Sequence, residues 1–119
     1  MIASTPEGCT IVPNWLFDEV LRQGTCSQLK VTAAVIRYTL GTGHREVKMS
    51  NSFLGWCTGE GQLDVNRGIE EGLKRGFIAR RHFEDEWAYR VVDVQRFGLA
   101  EELSDTVLIL DQKGRPVVP

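Results

Sequence analysis

Hydrophobic positions recur along this chain with two periods, and the switches between them mark its elements. After a polar opening broken by Pro6, Thr10-Ile11-Val12 reads as a short extended piece. Pro13-Asn14 then opens a helix, with Asn14 as the candidate cap. Trp15, Leu16, Val20 and Leu21 follow at helical spacing. Asp18 and Glu19 sit in the early half, where the helix dipole favours acids, and Gly24 ends the run. Thr25 or Ser27 caps a second helix. Its stripe of Leu29, Ala33, Ile36 and Leu40 is widened by Val31, Ala34 and Val35, the pattern of a central, largely buried helix. Gly41-Thr42-Gly43 breaks it. The period then falls to two: Val47 and Met49 alternate with Glu46 and Lys48, as in a brief strand.

The helical period returns over Ser50 to Ile78. Ser50 or Asn51 caps a short helix that turns Phe53, Leu54 and Trp56 inward, and Thr58 to Gly61 form a turn. Asp64 is the expected cap of the next helix, whose buried stripe is Val65, Ile69 and Leu73, with Arg67, Glu71 and Lys74 opposite and Glu70 beside them. Gly76 stops that helix. Phe77 to Phe83 and Trp87 to Val94 are β-prone runs around the turn Glu84-Asp85-Glu86. Helix, turn, helix and hairpin in this order predict an α+β winged helix-turn-helix of about four helices with a small antiparallel sheet, its wing spanning 77–93. Residues 1–9 are expected to be a flexible start, 10–97 the domain, and 98–119 an extension. One or two helical turns are expected over Phe97 to Leu103. Thr106 to Leu110, TVLIL, is a concentrated apolar run expected to pack on the domain or against a partner.

Composition narrows the function classes. The 119 residues are 42% hydrophobic and 25% charged, as in one globular domain. No apolar run reaches the ~20 residues needed to cross a bilayer, and no signal peptide is apparent. Cys9, Cys26 and Cys57 are far apart in sequence. They read as reduced thiols, and a cytoplasmic location is expected. His44 and His82 lack metal-ligand spacing, so no metal or cofactor is expected. No phosphate-binding loop and no Cys-His or acid pair suggests an enzyme. A net charge of -2 counts mildly against a nucleic-acid binder, so the placement of the cations decides.

Those cations form a reasonable DNA-binding set. Arg67 lies near the centre of the exposed face of the last helix, and arginine reads guanine through two parallel donors. Gln62 and Asn66, near that helix's start, can pair with adenine. Lys74, Arg75, Arg80 and Arg81, with Arg45 and Lys48 upstream, are candidate phosphate ligands. Glu70, Glu71 and the wing-tip acids would oppose phosphate. Double-stranded DNA is the expected partner, with a homodimer or a replication or transcription protein as a further partner through the C-terminal segment. The alternatives are a transcriptional regulator of the same fold and a winged helix used for protein contact.

The runs TIVPNWLFDEVL, VIRYTLGTGHREVKMS and VNRGIEEGLKRGFI together resemble the N-terminal domain of the phage replication protein O family. The residues carrying the resemblance are Val12-Pro13-Asn14, then Arg37, Thr39, Gly41, Gly43 and Arg45, then Ser50, then Val65, Arg67, Ile69, Gly76 and Ile78. It covers Thr10 to Arg81. It implies a winged helix that binds origin DNA at replication initiation, with Arg67 as the recognition-helix arginine. The turn Gly59-Glu60-Gly61 departs from the family's usual Gly-Leu-Ser. Family members also carry a C-terminal region that engages the replicative helicase, so helicase loading is not expected of these 119 residues.

Overall fold

The structure is a computed structural model that describes residues 8–92 and 103–110. A helix over Leu16–Leu21 is followed by α1 (Cys26–Thr39), a 3-10 turn (Leu40–Thr42), β1 (Val47–Met49), α2 (Asn51–Thr58) and α3 (Gln62–Lys74). Then come β2 (Ile78–Phe83), β3 (Glu86–Val91) and β4 (Leu108–Ile109). Among the described residues this is an α+β fold of four helices and one mixed sheet, ordered β2-β3-β1-β4.

α1 is the centre of the packing. Thr25, not Ser27, caps it: the Thr25 hydroxyl oxygen accepts the Gln28 N–H at 3.1 Å. Val31, Ala34, Val35 and Ile36 are buried, and so are the polar Ser27, Gln28, Thr32 and Thr39. The buried face is therefore wider than the apolar stripe, and Leu29 and Ala33 lie at its half-buried margin. The helix before it is a π-helix, with turns wider than an α-helix. Asn14 opens this segment through its carbonyl, which accepts the N–H groups of Phe17 and Asp18 at 3.0 Å each. No side chain caps the helix itself, whose N-cap position is Trp15. Leu16 and Val20 are buried, whereas Leu21, expected inward, is exposed.

Ser50 caps α2 by accepting the Phe53 N–H at 3.0 Å, and Gly59, at φ 70, ends it in the left-handed region. Phe53 and Leu54 enter the core. Trp56, expected with them, is 67% exposed and stacks on Phe53 with centroids 5.8 Å apart. The reason is geometric: three positions from Phe53, Trp56 reaches that ring, but two positions from Leu54 it does not share the face that Leu54 buries. The N-cap position of α3 is Gly61, not Asp64, and Asp64 lies inside the first turn. At its other end the Phe77 N–H donates to Gly72 (3.1 Å) and the Gly76 N–H to Leu73 (3.2 Å). This is a Schellman closure, which needs the positive φ of Gly76.

In the sheet, Val47↔Tyr89↔Arg80 and Met49↔Trp87↔His82 share one face; Lys48↔Ala88↔Arg81 share the other. Val47, Met49, Tyr89, Ile78 and Val91 are buried, so the first face is the core side. The hairpin turn is Glu84-Asp85 alone, since Glu86 pairs with Phe83. Glu84 takes φ 56, as the first position of a primed hairpin turn requires. The sheet is not purely antiparallel. β4 lies parallel to β1, with Leu108 opposite Val47. The alternating pattern of β1 does not encode strand direction, and its free edge accepts the returning apolar run. The TVLIL region thus packs on the domain itself. The Arg45 N–H donates to Ser104 at 3.1 Å and the Leu108 N–H to Glu46 at 3.0 Å. Most of the expected turns over Phe97 to Leu103 lie outside the described residues, as does most of the flexible start.

Candidate nucleic-acid interface

α3 presents one side to solvent because its other side is pressed unusually close to α1. Val65 and Ile69 are buried, and Gly68 lies against the Ser27 carbonyl, where a Cβ would come within 2.4 Å of the oxygen. Gly72 faces Ile78 in the same way. The opposite side exposes Gln62, Leu63, Asn66, Arg67, Glu70 and Lys74. Spacings of three and four make this one stripe. The structure thus brings Gln62, Asn66, Arg67 and Lys74 together on one helix face.

The stripe has internal order. Asn51, at the first turn of α2, donates from its amide to Asn66 Oδ1 at 2.8 Å, while Gln62 Nε2 donates to the Asn51 carbonyl at 3.1 Å. Asn66 keeps its own amide donors and a second lone pair. The Arg67 side chain is 58% exposed, with Asp64 3.9 Å away. Glu71 turns out of the stripe: its carboxylate accepts the Thr25 hydroxyl at 2.7 Å, tying α3 to the cap of α1. Asp64 and Glu70 are therefore the acids that remain beside Arg67 on α3. Glu60 in the turn pairs with Lys30 at 3.3 Å and is likewise engaged with α1.

The cations of the strands behave differently. Arg81 forms two bonds to Glu46, at 2.8 and 2.9 Å. Lys48 pairs with Glu84 at 2.9 Å and Asp85 at 3.5 Å, and Arg45 with Asp105 at 2.6 Å. The hydrogen bond that Lys48 donates to Glu84 raises the Lys48 pKa, and those that Arg81 donates to Glu46 raise the Arg81 pKa. Arg80 points to the opposite sheet face from Arg81, since neighbours on a strand alternate. Its guanidinium lies 4.1 Å from the centroid of the Trp87 ring and donates to the Tyr89 hydroxyl at 3.4 Å. His82 stacks on the same indole at 3.9 Å. Arg75 donates to the buried Gln28 at 3.0 Å and stacks over Phe77. Arg45, Lys48, Arg67, Lys74, Arg80 and Arg81 therefore do not form one basic face. Arg67 and Lys74 share the α3 stripe, and the strand cations are held by carboxylates or rings.

Two residues of this surface were not singled out from the sequence as contacts. Asn51 stood only as a capping alternative. Leu63, 76% exposed, falls outside the buried stripe of Val65, Ile69 and Leu73, although its spacing of four from Arg67 was legible. A groove of about 580 Å³ opens between the end of β1, the start of α2, the hairpin turn and the end of β4, with Lys48, Ser50, Asp85, Glu86 and Ile109 on its walls. Burial pushes the Cys57 thiol pKa up, against the direction a nucleophile needs. Among the described residues no three His, Cys, Asp or Glu side chains are grouped to hold a metal ion. None of their helices is long and apolar enough to cross a membrane. Comparison with protein-family models, with curated proteins and with solved structures returns no match.

Proposed function

We propose that this chain is a winged helix that binds double-stranded DNA by sequence, without catalysis, in phage- or plasmid-type replication initiation. In this reading α3 enters the major groove, with α2 behind it and the β2–β3 hairpin as the wing. One observation carries it: a 13-residue helix sunk on one side against α1, whose other side offers guanine- and adenine-reading groups in a single stripe. The removal of Glu71 from that stripe favours the reading further, because it takes one carboxylate away from the phosphates. The replication setting rests on the resemblance of the segments between Thr10 and Arg81 to the replication protein O family. A transcriptional regulator would dock in the same way. The position of the selected site, in an origin or in a promoter, separates the two.

Few free cations mean few phosphate contacts. With Arg67 and Lys74 engaged, log K should fall with log salt at a slope of about -2, at ~0.9 per phosphate. Titration of duplex binding against salt tests this, with Arg67→Ala weakening affinity. No duplex binding at low salt would overturn the DNA reading. It would leave the protein-contact alternative, which the exposed pair Phe17 and Leu21 on one helix favours.

A further inference from the structure

The α3 stripe holds one apolar residue that the DNA reading has not used. Leu63 is 76% exposed, more than any other exposed large apolar residue among those described. It lies in the first turn of α3, three positions before Asn66 and four before Arg67. The other side chains of the stripe, Gln62, Asn66, Arg67, Glu70 and Lys74, are polar or charged. In a major groove one base feature rewards an apolar contact, the 5-methyl group of thymine. Resting on the proposed function, we infer that Leu63 is a specificity-determining residue that reads a thymine methyl.

The helix geometry also places that thymine. Four residues rise about 6 Å along α3. Base pairs are stacked at about 3.4 Å, so Leu63 and Arg67 reach positions about two base pairs apart. The site should therefore hold a thymine about two base pairs from the guanine read by Arg67. Asn66 lies beside Arg67 and is anchored by Asn51, so an adenine read by Asn66 falls in the same short window.

The test starts from a randomised 20-base-pair duplex pool selected on the full chain. Each thymine of the selected site is then replaced singly by deoxyuridine, which differs only by the methyl group. One replacement should weaken wild-type binding about fourfold, the worth of one buried methylene-sized group. The same replacement should weaken Leu63→Ala by less than about twofold, because the partner of the methyl is already gone. Leu63→Met, which keeps an apolar side chain of similar size, should retain the wild-type sensitivity. Arg67→Ala should relax the choice of guanine about two base pairs away. If no thymine is sensitive, or if wild type and Leu63→Ala lose equally, the inference is overturned while the DNA reading stands. If no duplex is retained at low salt, the DNA reading fails and takes the inference with it.

Discussion

Replacing Gly68 by alanine tests the packing that presents the stripe. The added methyl would lie 2.4 Å from the Ser27 carbonyl oxygen and 2.8 Å from both its carbon and Val31 Cγ2. An ordinary carbon–oxygen contact is about 3.3 Å, so α1 and α3 would have to part by roughly 1 Å. Overpacking of this kind costs about 1–3 kcal/mol, and the upper end applies because two of the three atoms are backbone and cannot rotate away. Alanine returns about 1 kcal/mol in helix propensity. The net expectation is a loss of about 2 kcal/mol, or roughly 8 °C in Tm for a domain of this size. Gly55→Ala is the paired control. There the methyl meets the end of the Gln62 side chain, which can rotate, at 3.0 Å and the Glu60 carbonyl at 3.3 Å. The same propensity gain should leave it within about 1 kcal/mol of wild type. Urea unfolding monitored by circular dichroism reads both. A Gly68→Ala protein as stable as wild type would refute the close approach of α3 to α1.

Three further outcomes follow from the geometry. The double variant Glu84→Gln, Asp85→Asn releases Lys48 from its carboxylates, so the salt dependence of duplex binding should steepen by about 0.9, measured by fluorescence anisotropy; an unchanged slope would mean Lys48 stays away from phosphate. Burial raises the Cys57 pKa above its ordinary 9.0, so the folded state holds that proton longer than the unfolded chain. Stability should thus be constant below about pH 9 and decline as pH rises through the raised value, with Cys57→Ser reducing the first part of the decline. Tyr38 and Tyr89, both raised by burial, add to the loss from about pH 10 upward. Alkylation by iodoacetamide at pH 8, followed by peptide mass spectrometry, should label the exposed Cys9 and Cys26 well before Cys57; equal labelling would contradict the half-buried position of Cys57.

Much of the fold was legible wherever the cause is local. Thr25 and Ser50 cap their helices because a hydroxyl oxygen is within reach of an N–H three residues on. Gly76 ends α3 because the left-handed turn suits a residue without a Cβ. Alternation placed Val47 and Met49 inward and Lys48 outward. The α3 stripe was legible for the same reason, and Gln62, Asn66, Arg67 and Lys74 do share its exposed side. Gly68 and Gly72 were silent, since hydrophobic periodicity does not register a residue that contributes closeness rather than area.

The sequence by itself determined the order of the helices and strands and most of their ends to within a few residues, because those depend on bonds and dihedrals along a short stretch of chain. Tertiary structure alone decided which charges remain available. Glu71 meets Thr25 across 46 positions, Arg81 meets Glu46 across 35 and Arg45 meets Asp105 across 60. It also decided that β4 returns parallel to β1. These outcomes depend on which distant segments share a surface, and residue type and period carry no record of that.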